Sequence, residues 1–227
     1  MKLQILRISR SSYESVLHLQ EKLFELRMDN KIEDTLILTE HEPVYTLGRR
    51  GKEENILVDR SVLEREKIKV ISIGRGGDIM YHVPGQIVGY PILDLKEHGK
   101  NIRKYVENIE LLGIRLLKEC FQIDAHTEEG HNTGVWVQDK KIMAIGIEIR
   151  RYITMHGFAL NVDIDMKYPS WIYPCGIKDR GVTSIQQLVG KPVNQEAVYQ
   201  KIGSLFGEIF SYDEISTKEL EVEGNIR

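Results

Sequence analysis

The chain has 227 residues, 41% of them apolar and 29% charged, which is the balance of an ordinary folded domain long enough to bury a sizeable core. A formal net charge of -3 excludes the electrostatic footprint of a nucleic-acid binder or of a protein held on an anionic membrane, so any charged docking site is a local patch. The longest uncharged stretch, Ile79 to Leu93, carries two prolines and two glycines and falls short of the about 18 apolar residues a membrane span needs, and Met1 to Arg7 meets charge too soon for a signal peptide.

In chain order, Leu3–Arg7 alternates as a short strand, and Ser11-Ser12 precede a helix whose Val16, Leu19, Leu23 and Leu26 recur at helical spacing. Thr35–Leu38 is a short β-rich run and Val58–Glu66 a helix. Lys69–Ile73 reads as a strand that ends at a glycine cluster, and Gln86–Leu93 as another strand. Asn101–Phe121 is the longest helical stretch, with Ile109, Leu112, Leu116 and Cys120 at helical intervals, which assigns Cys120 to the core. Gly134–Val137, a turn at Gln138-Asp139 and Lys140–Ile149 make a hairpin. Phe158–Ile164 is a further strand, Ser184–Leu188 and Gln195–Phe210 are helices, and a polar, acidic tail runs from about residue 212 to 227. Strands and helices mix without a βαβ rhythm, so the expected class is α+β, a mixed β-sheet with flanking helices. Without repeats or linkers, a single domain over 1–227 is expected.

Two residues could carry chemistry. Cys175 lies in Tyr173-Pro174-Cys175-Gly176-Ile177, a tight turn able to present a side chain at the end of an element. The only other cysteine is Cys120, too few for a disulfide framework, so a reducing cytoplasm is the expected setting. A nucleophilic thiol needs a base or cation beside it, and Lys141 is the candidate. On a regular strand Lys141 shares a face with Met143, Ile145, Ile147 and Ile149, where a lysine is partly desolvated and able to trade protons. A buried structural cysteine and a strand-end lysine that snorkels to water are the competing readings, and the pattern leaves both open. The run Gly74-Arg75-Gly76-Gly77-Asp78-Ile79-Met80-Tyr81-His82 lets backbone approach a ligand closely, at a spacing that fits neither a Walker A loop nor a dinucleotide fingerprint. His82 and His156 are candidate acid/base or site-shaping rings, and no histidine or cysteine spacing suits a metal, so neither metal nor cofactor is expected.

Several blocks, in this order, resemble the lipoyl(octanoyl) transferase family from about Thr46 to Ile185. They are Arg75-Gly76-Gly77 with Tyr81-His82 and Pro84-Gly85-Gln86, then Gly89-Tyr90-Pro91 and Gly134-Val135-Trp136-Val137. Lys141-Ile142 before Ala144-Ile145-Gly146, the run Met155-His156-Gly157-Phe158-Ala159-Leu160-Asn161-Val162, and Pro174-Cys175-Gly176-Ile177 complete the match. The resemblance implies a fold related to biotin and lipoate protein ligases. It also implies a ping-pong reaction, in which a cysteine takes octanoyl from octanoyl-acyl carrier protein and passes it to a lysine of a lipoyl domain. Cys175 would be the acyl-thioester nucleophile and Lys141 the residue that activates it and relays protons. Arg75, Gly76, Gly77, Asp78, Ile79, Met80, Tyr81 and His82 would line the acyl and phosphopantetheine region, with Ala144, Ile145, Gly146, His156, Gly157, Phe158 and Ala159.

The implied acceptors are lipoyl domains of 2-oxoacid dehydrogenase E2 subunits and the glycine cleavage H protein, with no nucleic acid and no membrane involved. Gly157 and Gly176 would let backbone donors approach a developing oxyanion. Met80 and Val83 depart from the family pattern, where threonine and glycine are usual, and are expected to narrow the acyl slot. Arg49, Arg50, Lys52, Arg150, Arg151, Lys178 and Arg180 are candidates for a basic rim facing acidic partners. The rival readings are an ATP-dependent lipoate or biotin ligase on the same fold, which needs no nucleophilic cysteine, and an amidotransferase that moves octanoyl between lipoyl domains.

Overall fold

The computed structural model describes residues 1–128 and 133–221. It opens with β1 (Lys2–Ile8), followed by α1 (Tyr13–Met28), which begins where Ser12 Oγ accepts the Ser15 N–H at 3.2 Å. Then come β2 (Asp34–Thr39), β3 (Val44–Leu47), α2 (Arg60–Arg65), β4 (Lys69–Ser72), β5 (Ile79–His82) and β6 (Gln86–Ile92). The long helix α3 (Ile102–Phe121) starts at Asn101, whose Oδ1 accepts from Lys104 N–H at 3.0 Å, and ends where Gln122 turns left-handed. The remainder is β7 (His126–Thr127), β8 (Gly134–Val137), β9 (Lys140–Arg150), β10 (Ile153–Asn161), α4 (Lys167–Ser170), α5 (Ile185–Val189), α6 (Gln195–Ile209) and β11 (Glu214–Leu220).

The main sheet is mixed, in the order β11-β1-β2-β6-β10-β9-β8-β7, with β1 parallel to both β11 and β2 and the other pairs antiparallel. Leu36 and Leu38 face α3 and α6, whose Ile109, Leu112, Ile202 and Phe206 fill one layer; Ile37 faces α1 with Tyr13 and Val16 in the other. This is the period-two division of strands covered on both faces, and it makes the fold α+β, a mixed sheet with flanking helices. A smaller sheet, β4-β3-β5, carries the glycine-rich segment 74–78 against β9, where Gly76 N–H donates to Ile147 O at 3.0 Å.

The polar tail is structured over its described part: Tyr212 is buried with its hydroxyl donating to Asp34 Oδ2 at 2.6 Å, and the exposed strand β11 pairs in register with β1, Lys2 opposite Glu214. The outer edge of β1 offers unpaired N–H and C=O groups, and a polar segment can satisfy them while its side chains stay in water. The last part of that tail, 222–227, lies outside the described residues. Cys120 is exposed rather than in the core, because the final turn of α3 presents Phe121 to the core and leaves Lys118, Glu119 and Cys120 on its outer side.

Candidate active site

The turn Pro174–Gly176 lies against β5 and holds two successive left-handed residues, Cys175 at φ 59° and Gly176 at φ 75°. Gly176 is required there, since a Cβ would stand 2.7 Å from Asp78 Oδ2. Asp78 is fixed by the Ile79 N–H at 2.6 Å and Asn55 Nδ2 at 2.9 Å, and Asn55 O accepts from Tyr173 N–H at 2.8 Å, so the turn is clamped to the start of β5. A non-glycine residue in this conformation costs about 1 kcal/mol, strain that the clamp sustains at Cys175.

Lys141 reaches the same point through a β-bulge. Val135 pairs with Met143 but Trp136 pairs with Lys141, so Ile142 is the extra residue and the parity of β9 flips there. Lys141 therefore does not share the face of Met143, Ile145 and Ile147 that regular alternation predicts; Met143 packs into the α3 layer, while Lys141 joins Ala144 on the opposite face. Backbone bonds pin it, Lys141 N–H to Gly181 O at 3.1 Å and Thr183 N–H to Lys141 O at 3.0 Å. Its Nζ donates to Thr133 O at 3.1 Å, stands 4.8 Å from the Trp136 ring centroid, and lies 3.7 Å from Cys175 Sγ. At 5% exposure Lys141 does not snorkel to water, whereas Lys140 does.

Two hollows meet at this pair, and a third lies beyond the first. The inner chamber is lined by Cys175, Lys141, Met80, Tyr81, Ala144 and Ala159, together with Gln86, Asn161, Pro174 and Val182. A second chamber is bounded by Arg75, Met80, His82, Ala144, Gly146, His156, Gly157, Phe158 and Ala159, with Tyr13, Val88 and Tyr90. An outer groove of about 680 Å³ runs past Gly76, Gly77, Asp78 and Ile145 to Cys175 and Lys141, with Arg50 at its side. Of the residues singled out in the sequence, Ile79 borders none of these hollows among the described residues; it packs with Tyr45 and Ile172 in a separate core cluster. Val83 lies in that cluster too, so of the two departures only Met80 borders the hollows. Gly176 N–H is already given to Tyr173 O at 2.8 Å, and Gly157 borders the second chamber, where a Cβ would overlap the Gly89 carbonyl oxygen; neither glycine offers a donor at the sulfur.

Sequence reasoning missed Gln86, Asn161, Tyr13 and Tyr90. Asn161 Oδ1 accepts from Tyr81 Oη at 3.1 Å and Gln86 Nε2 at 3.0 Å, and its Nδ2 donates to Thr183 O at 2.9 Å, tying β5, β6 and β10 to the segment beside Lys141. For Gln86 and Asn161 the available signal was a polar residue at the end of an apolar strand, within blocks already singled out; Tyr13, on α1, carried none.

The chamber walls carry no protonated histidine. His41 Nδ1–H donates to Ser11 O at 3.1 Å and Nε2 accepts from Tyr90 Oη at 2.7 Å, while His82 Nδ1–H donates to Gln86 Oε1 at 3.0 Å, tautomers assigned from these partners. Burial pushes His41 and His156 down to about 4 and His82 well below its ordinary value. These rings stay neutral in the folded chain but gain protons near pH 6.5 once unfolded. Stability is therefore expected to fall as pH drops from about 6.5 toward 4, by up to about 1.4 kcal/mol per pH unit for each ring. Urea unfolding at pH 7, 6 and 5 reads this directly; a flat stability across that range would mean the rings take up protons in place. Arg75, whose guanidinium burial holds below its ordinary range, donates only to neutral oxygens: Thr46 O at 2.7 Å, Thr46 Oγ1 at 2.8 Å, Asp78 O at 2.8 Å and Gly76 O at 2.9 Å. It braces the glycine-rich loop. On the expected basic rim, Arg49 and Arg150 share Glu148 at 3.3 and 3.4 Å, and Arg180 pairs with Glu128.

The family model described as lipoyl protein ligase A/B catalytic domain matches residues 12–207. The chain is 49% identical to an octanoyltransferase of Caldicellulosiruptor saccharolyticus over 223 residues, covering 97% of this chain and 95% of that protein. It is 46% identical to an octanoyltransferase of Desulforamulus reducens over 213 residues, 94% of this chain and 93% of that protein. Among solved structures, the lipoate complex of P. falciparum LipL1 superposes with a TM-score of 0.75 at 16% identity, covering 96% of this chain and 66% of that one. A bi-partite lipoate protein ligase from Thermoplasma acidophilum, solved in a study that includes its E2 lipoyl domain, gives 0.70 at 17% identity, with 98% and 88% covered. At these identities the two structures speak to fold alone.

Proposed function

The chain belongs to the lipoyl protein ligase A/B catalytic domain family and is an acyltransferase of protein lipoylation, and we propose that it moves octanoyl from octanoyl-acyl carrier protein to a lipoyl-domain lysine through a thioester on Cys175. The observation that carries this reading is the 3.7 Å approach of Lys141 Nζ to Cys175 Sγ where the inner chamber meets the outer groove. The chamber takes the acyl chain, and the groove admits the arm that delivers it.

In the first half-reaction the Cys175 thiolate attacks the thioester carbonyl, with the Lys141 ammonium as its counter-ion. The tetrahedral adduct collapses with cleavage of the bond to the carrier sulfur, and Lys141 delivers the proton that releases the carrier as a thiol. In the second, the acceptor lysine's neutral amine attacks the Cys175 thioester. Its surplus proton passes to Lys141, and the carbon–sulfur bond to Cys175 breaks. One thioester is exchanged for another and then for an amide, so no ATP is consumed. The paired thiol and ammonium favour this route over an ATP-dependent ligase on the same fold. The acceptors would be lipoyl domains of 2-oxoacid dehydrogenase E2 subunits and the glycine cleavage H protein, in a cytoplasm reducing enough to keep Cys175 free. The whole chain would act as one catalytic domain.

Mixing the protein with octanoyl-acyl carrier protein in the absence of ATP is expected to add one octanoyl group, labile to hydroxylamine and transferable to a lipoyl domain. Intact-protein mass spectrometry reads it. Acylation of the lipoyl domain that appears only with free octanoate and ATP would replace this reading with the ligase.

A further inference from the structure

The inner and second chambers have three lining residues in common, Met80, Ala144 and Ala159. Ala144 and Ala159 are paired directly across β9 and β10, so they form a floor that cannot move without breaking the sheet. Met80, on β5, is the flexible member. Its Cε stands 3.5 Å from the position a Cβ on Gly146 would occupy, so its tip lies over the floor of β9. Met80 also borders the outer groove, which gives a displaced side chain somewhere to go. A thioether on three rotatable bonds fills such a gap at little cost and leaves it at little cost.

The geometry points to Met80 as a movable gate that sets acyl-chain length: a chain held at Cys175 enters the second chamber only by swinging the Met80 thioether aside. This rests on the thioester reading above and adds how that site selects its substrate. The space beside Cys175 is small and is taken up first, so every further methylene must both displace Met80 and find cover beyond it. The second chamber supplies that cover from Val88, Gly157 and Phe158. Selection by a displaced side chain predicts a graded decline with length, whereas a fixed wall would give a step.

The test is the chain-length profile of wild type, Met80→Ala and Met80→Phe with C6, C8, C10 and C12 acyl carriers, read as the rate of Cys175 acylation. In parallel, the Tm shift produced by the free C8, C10 and C12 acids reads chamber occupancy without any chemistry. Each methylene that gains cover is worth about fourfold, so Met80→Ala is expected to raise C10 relative to C8 by about tenfold or more. Met80→Phe, whose ring cannot fold away, is expected to confine activity to C6 and to abolish the Tm shift by the longer acids. Profiles of both variants that stay within twofold of wild type would overturn the gate. The absence of any adduct on Cys175, with an acid profile that still follows residue 80, would overturn the thioester and leave the gate standing.

Discussion

Replacing Cys175 with alanine is expected to remove the acyl adduct and to lower octanoyl transfer to a lipoyl domain by about 10³-fold or more. Without the sulfur the acceptor amine must attack the carrier's own thioester, with both large partners on the enzyme at once. The groove that one arm occupies in each half-reaction would then have to hold two. The substitution should be nearly silent for folding. Cys175 is partly exposed, and Lys141 keeps Thr133 O and the Trp136 ring as partners. Cys175→Gly makes a sharper control, since glycine adopts φ 59° without penalty: its Tm should match or exceed wild type while transfer is lost. Rates within tenfold of wild type in the alanine variant, measured by lipoyl-domain mass shift, would show that the acyl group never rests on this sulfur.

The second large effect belongs to Lys141. Lys141→Met keeps an unbranched apolar stem in the buried path beside Trp136 but carries no proton, and it is expected to slow both half-reactions by about 10²–10³-fold. Lys141→Arg separates charge from proton transfer. A guanidinium supplies the positive charge yet does not give up a proton, so arginine should fail nearly as badly as methionine if Lys141 relays protons. If charge alone matters, arginine should keep most of the acylation rate. Single-turnover acylation of Cys175 and its release to a lipoyl domain, timed separately, distinguish the two. A methionine variant within threefold of wild type in both steps would remove Lys141 from the chemistry.

Much of the site was legible because its signals are local. A proline and a glycine around Cys175 announce a tight turn, and Asp78 explains why the second must be glycine. The glycine-rich run from Gly74 was recognisable as an open backbone segment, and Gly76 and Gly77 border the outer groove, although its far end, Ile79 to His82, is a strand that pairs with β3. The same local reasoning failed where burial depends on what lies across from a residue. Ile79 and Met80 are adjacent and both apolar; alternation along β5 sends the first into the core with Tyr45 and the second into the chambers. Cys120 continues the helical spacing of Leu112 and Leu116, but in the last turn of α3 it is Phe121 that packs on the core and Cys120 is exposed.

By itself the sequence determined the identity of the chemical groups and most element types: a turn-borne thiol, a lysine entering an apolar strand, a capped helix after Ser12, a long helix from Asn101, and a mixed α+β order. These follow from side-chain chemistry and short-range periodicity, which act over a few residues. Only the tertiary structure decided that Cys175 and Lys141, 34 residues apart, are neighbours. That contact depends on the bulge at Ile142, which turns Lys141 from the helix-packed face to the chamber face. Nothing in the sequence marks the bulge, because both faces of β9 are apolar at that point and either parity buries carbon. It depends equally on residues 181–183 running beside β9 and on the Asp78 clamp, and those are long-range hydrogen bonds whose partners exist only once the sheet has formed.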